Sequence, residues 1–368
     1  MKIFASFLAA LALCCAWAQA PTQDDKHKEE IKKDVELGKE YIAEIEKDIK
    51  LSDDKEMLER VQRIGGELAA IANQTQVTGK YGDSRLSAFE YTFKVVKDDD
   101  VNAFSVPGGF IYVNEGLLKD VQSDDELAAV LAHEIAHAAH RHLVTLMKEK
   151  NKVDILSLPL LLAAVLGKGR EAGNLLVTQQ LLSTALTSGW SVKAELDADN
   201  TGFAYMLKSK YHPVAMLTFL ERLAFRERRS TAKIDYGIYR THPPSKERVD
   251  ALTSLLKGAD LPIARSLVTT SFRVTADPSP AGLVVKFGEN PLFTLSGESA
   301  TARAAEAVTK LNVFFDSSPQ MFSVRNVGGT LYWNSEILLR LLPGDTPVSE
   351  ALANIKKSVF SLDYRTGG

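Results

Sequence analysis

The sequence predicts an α+β fold: a mainly helical domain with a small sheet beside a buried motif helix, followed by a small α+β C-terminal module. Three observations carry this reading. Residues 126–142 run Glu-Leu-Ala-Ala-Val-Leu-Ala-His-Glu-Ile-Ala-His-Ala-Ala-His-Arg-His with no Gly or Pro, which suits a buried helix. Just before it, 89–96 and 102–113 are rich in aromatic and β-branched residues and carry turn signals, as strands do. After Lys257-Gly258 the pattern changes to short apolar runs separated by turns.

The 368 residues are enough for two domains with ordinary cores. A hydrophobic share of 45% with 25% charged residues fits a soluble globular chain. The net charge of −3 gives no reason to expect nucleic acid as a partner. Residues 1–18 read as a signal peptide: Lys2, an apolar run from Ile3 to Trp17, and Ala16-Trp17-Ala18 before the cut. The protein is therefore expected to be exported, to a periplasm or cell envelope. Lipid attachment at Cys14 is the alternative, although Leu13 is a poor neighbour for it. Both cysteines, Cys14 and Cys15, lie in this segment. Cleavage after Ala18 would leave no thiolate for a metal and no disulfide.

Residues 19–258 form the expected main domain. Gln23 to Arg60 is dense in charge, with Ile31, Val35, Leu37, Tyr41, Ile42 and Ile45 on one helical stripe. A second helix is expected over 52–73. Asp98-Asp99-Asp100 marks a turn after the first strand. Pro107 cannot donate to a ladder and Gly108-Gly109 suit a bulge, so 102–113 reads as an edge strand. Ala103, Val106, Gly108 and Gly109 are the residues expected to pair with an extended peptide. Ser123 and Glu126 predict a capping box for the motif helix. Two apolar runs, 155–166 and 175–186, read as a buried helical pair; the alternative is a site-covering lid or peripheral membrane contact through 155–166.

His133 and His137 stand at i and i+4 on one helical face, where two imidazoles can share a metal ion. Glu134 lies about 100° round the helix, placed to act on a water without being a ligand. Downstream, Glu195 and Asp199 are again i and i+4. A shell of His133, His137 and Glu195 leaves a fourth position open, as metal-assisted hydrolysis requires. Asp199 is then placed to accept the outward N–H of a ligand imidazole. Asp197 is expected to point elsewhere, at the surface. Gly at 140 and His at 143 would make a third imidazole ligand, but the chain has His140 and Leu143; His140 and His142 are read as groups behind the ligands or at the surface.

Four motifs occur in one order: Asn102-Ala103-Phe104 with Pro107-Gly108-Gly109, the Glu126 to His142 stretch, Glu195-x-Asp197-Ala198-Asp199 with Gly202, and Thr241-His242-Pro243-Pro244 with Arg248. In these, over roughly Asp34 to Leu256, the chain resembles the CAAX prenyl protease-like zinc metallopeptidases, which include HtpX-type and periplasmic BepA-type enzymes. The resemblance implies a gluzincin fold, one Zn²⁺ per chain, and His133, His137 and Glu195 as its ligands. It also implies that His242 reaches the metal and restrains activity. Read directly, Pro243 and Pro244 stiffen a loop, Ser245 caps a helix and Arg248 pairs with a carboxylate. His242 could stabilise an oxyanion or fill the open metal position; the sequence leaves both.

Residues 265–368 read as a small α+β module, with strands near 272–276, 283–287, 291–295, 322–327 and 330–333 and helices over 300–311 and 348–359. Docking of substrate or partner is its expected role. The expected function is a zinc endopeptidase acting on polypeptides, among them misfolded envelope proteins. The alternative is a metalloprotein shut by His242 that acts mainly as a chaperone or assembly factor.

Overall fold

The computed structural model describes residues 23–149, 190–230 and 237–366. The stretch read as a signal peptide, with Cys14, and the apolar runs at 155–166 and 175–186 lie outside them. Among the described residues the fold is mixed α+β, with helices dominating. The first part comprises α1 (Gln23–Asp48), α2 (Lys55–Ala72), β1 (Thr92–Val96), β2 (Ala103–Val106), β3 (Phe110–Asn114), α3 (Asp124–Ala139), α4 (His142–Glu149), α5 (Trp190–Leu207), α6 (Val214–Arg229) and α7 (Lys246–Gly258).

The motif helix α3 is buried on every side. Leu127, Ala128, Leu131, Ala132, Ile135 and Ala136 are all fully inaccessible, which only a helix enclosed by neighbours can achieve. Ser123 Oγ accepts from the Glu126 amide at 3.1 Å. The return half of the expected capping box is absent: Glu126 accepts instead from the Gln122 amide at 2.8 Å and holds Arg222 at 2.5 Å. A fully buried carboxylate needs a cation more than the cap needs its second bond.

Small residues let α5 approach α3 closely. A Cβ on Gly202 would lie 3.2 Å from the backbone of Ala132. That approach brings the carboxylates of α5 opposite the imidazoles of α3.

The sheet runs β1-β3-β2, with β1 parallel and β2 antiparallel to β3. Ala103, Ile111 and Val113 join the main core around α3, while Phe104, Val106 and Tyr112 cluster with Tyr41 and Ile45 of α1 and with Ile49 just beyond it. β2 lies at the sheet's edge. Gly108 and Gly109 do not form a bulge; they turn the β2–β3 hairpin at φ 89° and 87°. Gly108 sits beneath α1, where a Cβ would come within 2.7 Å of the Val35 backbone. α1 is further tied down by Arg141, whose guanidinium reaches Asp34 at 2.5 Å, Glu30 at 2.6 Å and Asp83 at 2.9 Å.

The second core involves β4 (Val274–Ser279), β5 (Gly282–Phe287), β6 (Asn290–Leu295), α8 (Ala300–Asp316), β7 (Val324–Val327), β8 (Thr330–Trp333), β9 (Glu336–Arg340) and α9 (Val348–Thr366). Two antiparallel sheets, β4-β5-β6 and β7-β8-β9, share an apolar cluster with α8 and α9. Strand β9 was not expected from the sequence. Buried Arg265 clamps Glu221 of α6 with two 2.8 Å bonds and donates to Ser318, just after α8, at 3.0 Å, bridging the first core and the second.

Two mid-helix glycines separate close packing from mere permissiveness. Gly66 in α2 has nothing within 4 Å of a Cβ, so Gly66→Ala should raise stability by about 0.5–1 kcal/mol. Gly202→Val should lower it by about 1–3 kcal/mol through overpacking against α3. Thermal unfolding of both variants checks the contrast: equal shifts would show that the α3–α5 approach is not tight.

Candidate active site

α3 and α5 face each other with their motif residues between them. His133 Nε2 lies 3.0 Å from His137 Nε2 and 3.2 Å from Glu195 Oε2. His137 Nε2 lies 3.3 Å from Glu195 Oε1. His242 adds a fourth donor from the loop before α7: its Nδ1 is 3.2 Å from His133 Nε2 and 3.1 Å from Glu195 Oε2. These four residues each offer a ligand atom, all within 4.8 Å of one another. A tetrahedron with metal–ligand bonds of about 2.1 Å has edges of about 3.4 Å, so the donor set fits one tetrahedral cation.

The surroundings hold the donors in place. Glu195 is only 4% exposed. Burial pushes its carboxyl up, but His242, Arg248, His133 and His137 more than offset this and hold it well below the usual range. Arg248 clamps Asp199 at 2.7 and 2.8 Å and reaches Glu195 at 2.9 Å. It also donates to the Pro243 carbonyl at 3.2 Å, fixing the loop just after His242. Asp199 Oδ1 lies 3.0 Å from His133 Nδ1, directing that ring's Nε2 inward. Burial raises Asp199, yet Arg248 brings it down to about 2. At His133 burial acts downward, but Glu195 and Asp199 lift the ring to about 9. A cation binding there would displace that proton. Burial holds His137 well below its usual value.

Glu134 is buried beside the donors, with its Oε1 3.2 Å from His242 Nε2. The short helical turn Ile238–Thr241 presents His242, and it is pinned to the start of β2. The Ile238 amide donates to the Val101 carbonyl at 2.9 Å, and Thr241 Oγ1 donates to Asn102 Oδ1 at 3.2 Å. Ser245 caps α7 as expected, accepting from the Arg248 amide at 3.3 Å.

The structure thus brings His133, Glu134, His137, Glu195, Asp199, His242 and Arg248 together. Ala103 and Val106 lie on β2, while Gly108 and Gly109 lie in the hairpin turn beneath α1. Asp197 corrects the sequence reading: it is 3% exposed, not at the surface. Both sides of α5 are covered, so turning away from the metal donors still leads into protein. Asp197 accepts from His140 at 2.5 Å, and His142 lies 3.2 Å from it. Both imidazoles are likewise buried. Sequence reasoning also missed a small open pocket lined by Ala129, Val130, Met216, Phe219, Leu220 and Leu223 beside Glu134 and His242. Apolar residues on α3 and α6 read as ordinary core, and no local signal separates a pocket wall from it.

Two imidazoles and a carboxylate converging on one point, with a second carboxylate alongside, define a metallopeptidase. The chain belongs to peptidase family M48, whose model matches residues 59–256. It is 26% identical over 226 residues to the beta-barrel assembly-enhancing protease of Escherichia coli (strain K12), covering 60% of this chain and 43% of that protein. It is 32% identical over 178 residues to the mitochondrial metalloendopeptidase OMA1 of Schizosaccharomyces pombe, covering 48% of this chain and 50% of that one. The matched stretch spans half or less of each of these relatives. Among the described residues no helix is long and apolar enough to cross a membrane.

Arg248→Met should destabilise the chain by about 3–5 kcal/mol at neutral pH, because it strands buried carboxylates. The sign of the pH effect follows from Asp199. Its depressed value adds stability that is complete above its unfolded pKa near 4 and is lost as pH falls towards about 2. The gap between wild type and variant in urea unfolding should therefore narrow as pH falls through that window. A gap that widens would contradict the clamp.

Proposed function

We propose that the chain is a gluzincin-type zinc endopeptidase of the cell envelope, held shut in this conformation by His242. The observation that carries the reading is the convergence of His133, His137 and Glu195 with Glu134 beside them. These three would hold the zinc, with Asp199 and Arg248 fixing their orientation. When bound, zinc polarises a carbonyl and lowers the pKa of a coordinated water towards about 7. Glu134 takes a proton from the attacking water and delivers it to the leaving amine.

His242 faces both halves of this machinery. Its Nδ1 is turned to the metal donors and its Nε2 to Glu134, so substrate entry requires its displacement. Latching of this kind also supports a second reading, in which the protein acts mainly as a chaperone or assembly factor. The edge of β2, from Ala103 to Val106, offers backbone groups to an extended peptide. Gly108 and Gly109 contribute by closing the hairpin. The apolar pocket beside Glu134 favours a small apolar side chain next to the scissile bond. The name of the Escherichia coli relative, a beta-barrel assembly-enhancing protease, together with the signal-like N-terminus, supports envelope proteins as substrates; action on misfolded ones in quality control is part of the proposal.

Glu134→Gln should retain zinc while peptide cleavage falls on the order of 10²–10⁴-fold. A Gln variant cleaving an unfolded protein substrate at near wild-type rate would sink the assignment. His242→Ala should raise cleavage severalfold in the same assay if the residue is a latch. A fall would make it an oxyanion stabiliser instead.

A further inference from the structure

We propose that His142 and Asp197 form a positioning relay that selects the tautomer of His137 whose Nε2 lone pair faces the metal site. The proposal rests on the zinc-site reading above and concerns side chains on the opposite side of His137 from the metal donors.

His142 Nδ1 lies 2.9 Å from His137 Nδ1, and His142 Nε2 lies 3.2 Å from Asp197 Oδ2. His142 and Asp197 are buried and the His137 side chain is only 13% exposed, so protein groups and not a full water shell set the proton positions. Asp197 as a carboxylate only accepts, which makes His142 Nε2 the donor in that contact. A neutral His142 then has a bare Nδ1, so the proton between the two rings must sit on His137 Nδ1. That leaves His137 Nε2 unprotonated, and Nε2 is the atom among the metal donors. The opposite tautomer would place a lone pair of His142 against the Asp197 carboxylate. Asp197 thus does for His137, through an intervening ring, what Asp199 does directly for His133.

The backbone is arranged to hold this chain of contacts. Arg141, between α3 and α4, adopts φ 54°, a left-handed conformation that costs a non-glycine residue about 1–2 kcal/mol. That kink turns His140 and His142, on either side of it, onto the same carboxylate oxygen. Ion pairs from buried Arg141 to buried Asp34 and to the more exposed Glu30 and Asp83 secure the kink. On the far side, the Lys80 and Tyr81 amides donate to Asp197 Oδ1 at 2.5 and 3.3 Å. Glycines allow that loop to close in: a Cβ on Gly79 would lie 2.5 Å from Asp197 Oδ1, and one on Gly82 2.6 Å from His142 Cδ2. Backbone strain placed next to a functional ligand is the situation in which such strain has a role.

Alone, the cluster of His140, His142 and Asp197 has the composition of a second metal site. The 2.5 Å contact of Asp197 with His140, the two amides on its other oxygen and the pressed loop favour a hydrogen-bonded relay over a cation there.

The test measures zinc affinity by chelator competition at fixed pH in the full chain, for wild type, Asp197→Asn and His142→Ala. Folding of each is checked by thermal unfolding. Both variants should bind zinc 10–100-fold more weakly. In parallel, ¹⁵N imidazole NMR of the metal-free wild type should find His137 protonated at Nδ1, a readout that needs no variant to fold. A folded Asp197→Asn variant with wild-type affinity, or His137 protonated at Nε2, would overturn the relay while leaving the zinc site standing. Failure of the wild type itself to bind zinc would remove the site's reading and the relay with it.

Discussion

A carboxylate buried among imidazoles is the constraint on which the site depends. Glu195 is 4% exposed, and among the described residues Arg248 and the facing imidazoles make its charge tolerable there. Arg248 reaches both α5 carboxylates and the Pro243 carbonyl, so one side chain from α7 fixes a candidate metal donor, the neighbour of His133 and the loop that carries His242. The loop's other anchor is the start of β2, through Val101 and Asn102. Sheet, His242 loop and candidate metal donors are therefore one mechanical unit, and the strand proposed to receive substrate begins where that loop is held.

The fold serves this unit by close approach. Alanines on α3 and Gly202 on α5 bring two helices near enough for imidazole and carboxylate to meet. α1 closes the opposite face of the sheet and, through Asp34 and Glu30, braces the kink at Arg141. A charged helix that reads as a solvated surface element thus carries strain from the end of the motif helix.

Much of the site was legible because i, i+4 spacing on a helix fixes a shared face. His133 with His137, and Glu195 with Asp199, needed no tertiary information beyond the facing of two helices. Asp197 was not legible for the same reason turned round: its direction away from the metal was right, but the sequence does not say that α5 is covered on both sides. Glu126 looked like a cap residue and is one half of a buried ion pair, because Arg222 is 96 positions away in the sequence. Gly108 and Gly109 signal a special backbone without distinguishing a bulge from a hairpin turn. In the C-terminal part, Thr330–Trp333 was read to the residue, whereas β9 was missed because Glu336 to Arg340 carries its apolar residues as one short run, not as an alternation.

X-ray absorption at the zinc edge of the purified, zinc-loaded protein tests the central claim most directly. The account predicts one zinc per chain, a first shell of only nitrogen and oxygen at about 2.0–2.1 Å, and outer-shell scattering from three imidazoles, those of His133, His137 and His242. A shell with fewer than two imidazoles, or a protein that retains no zinc, would contradict it.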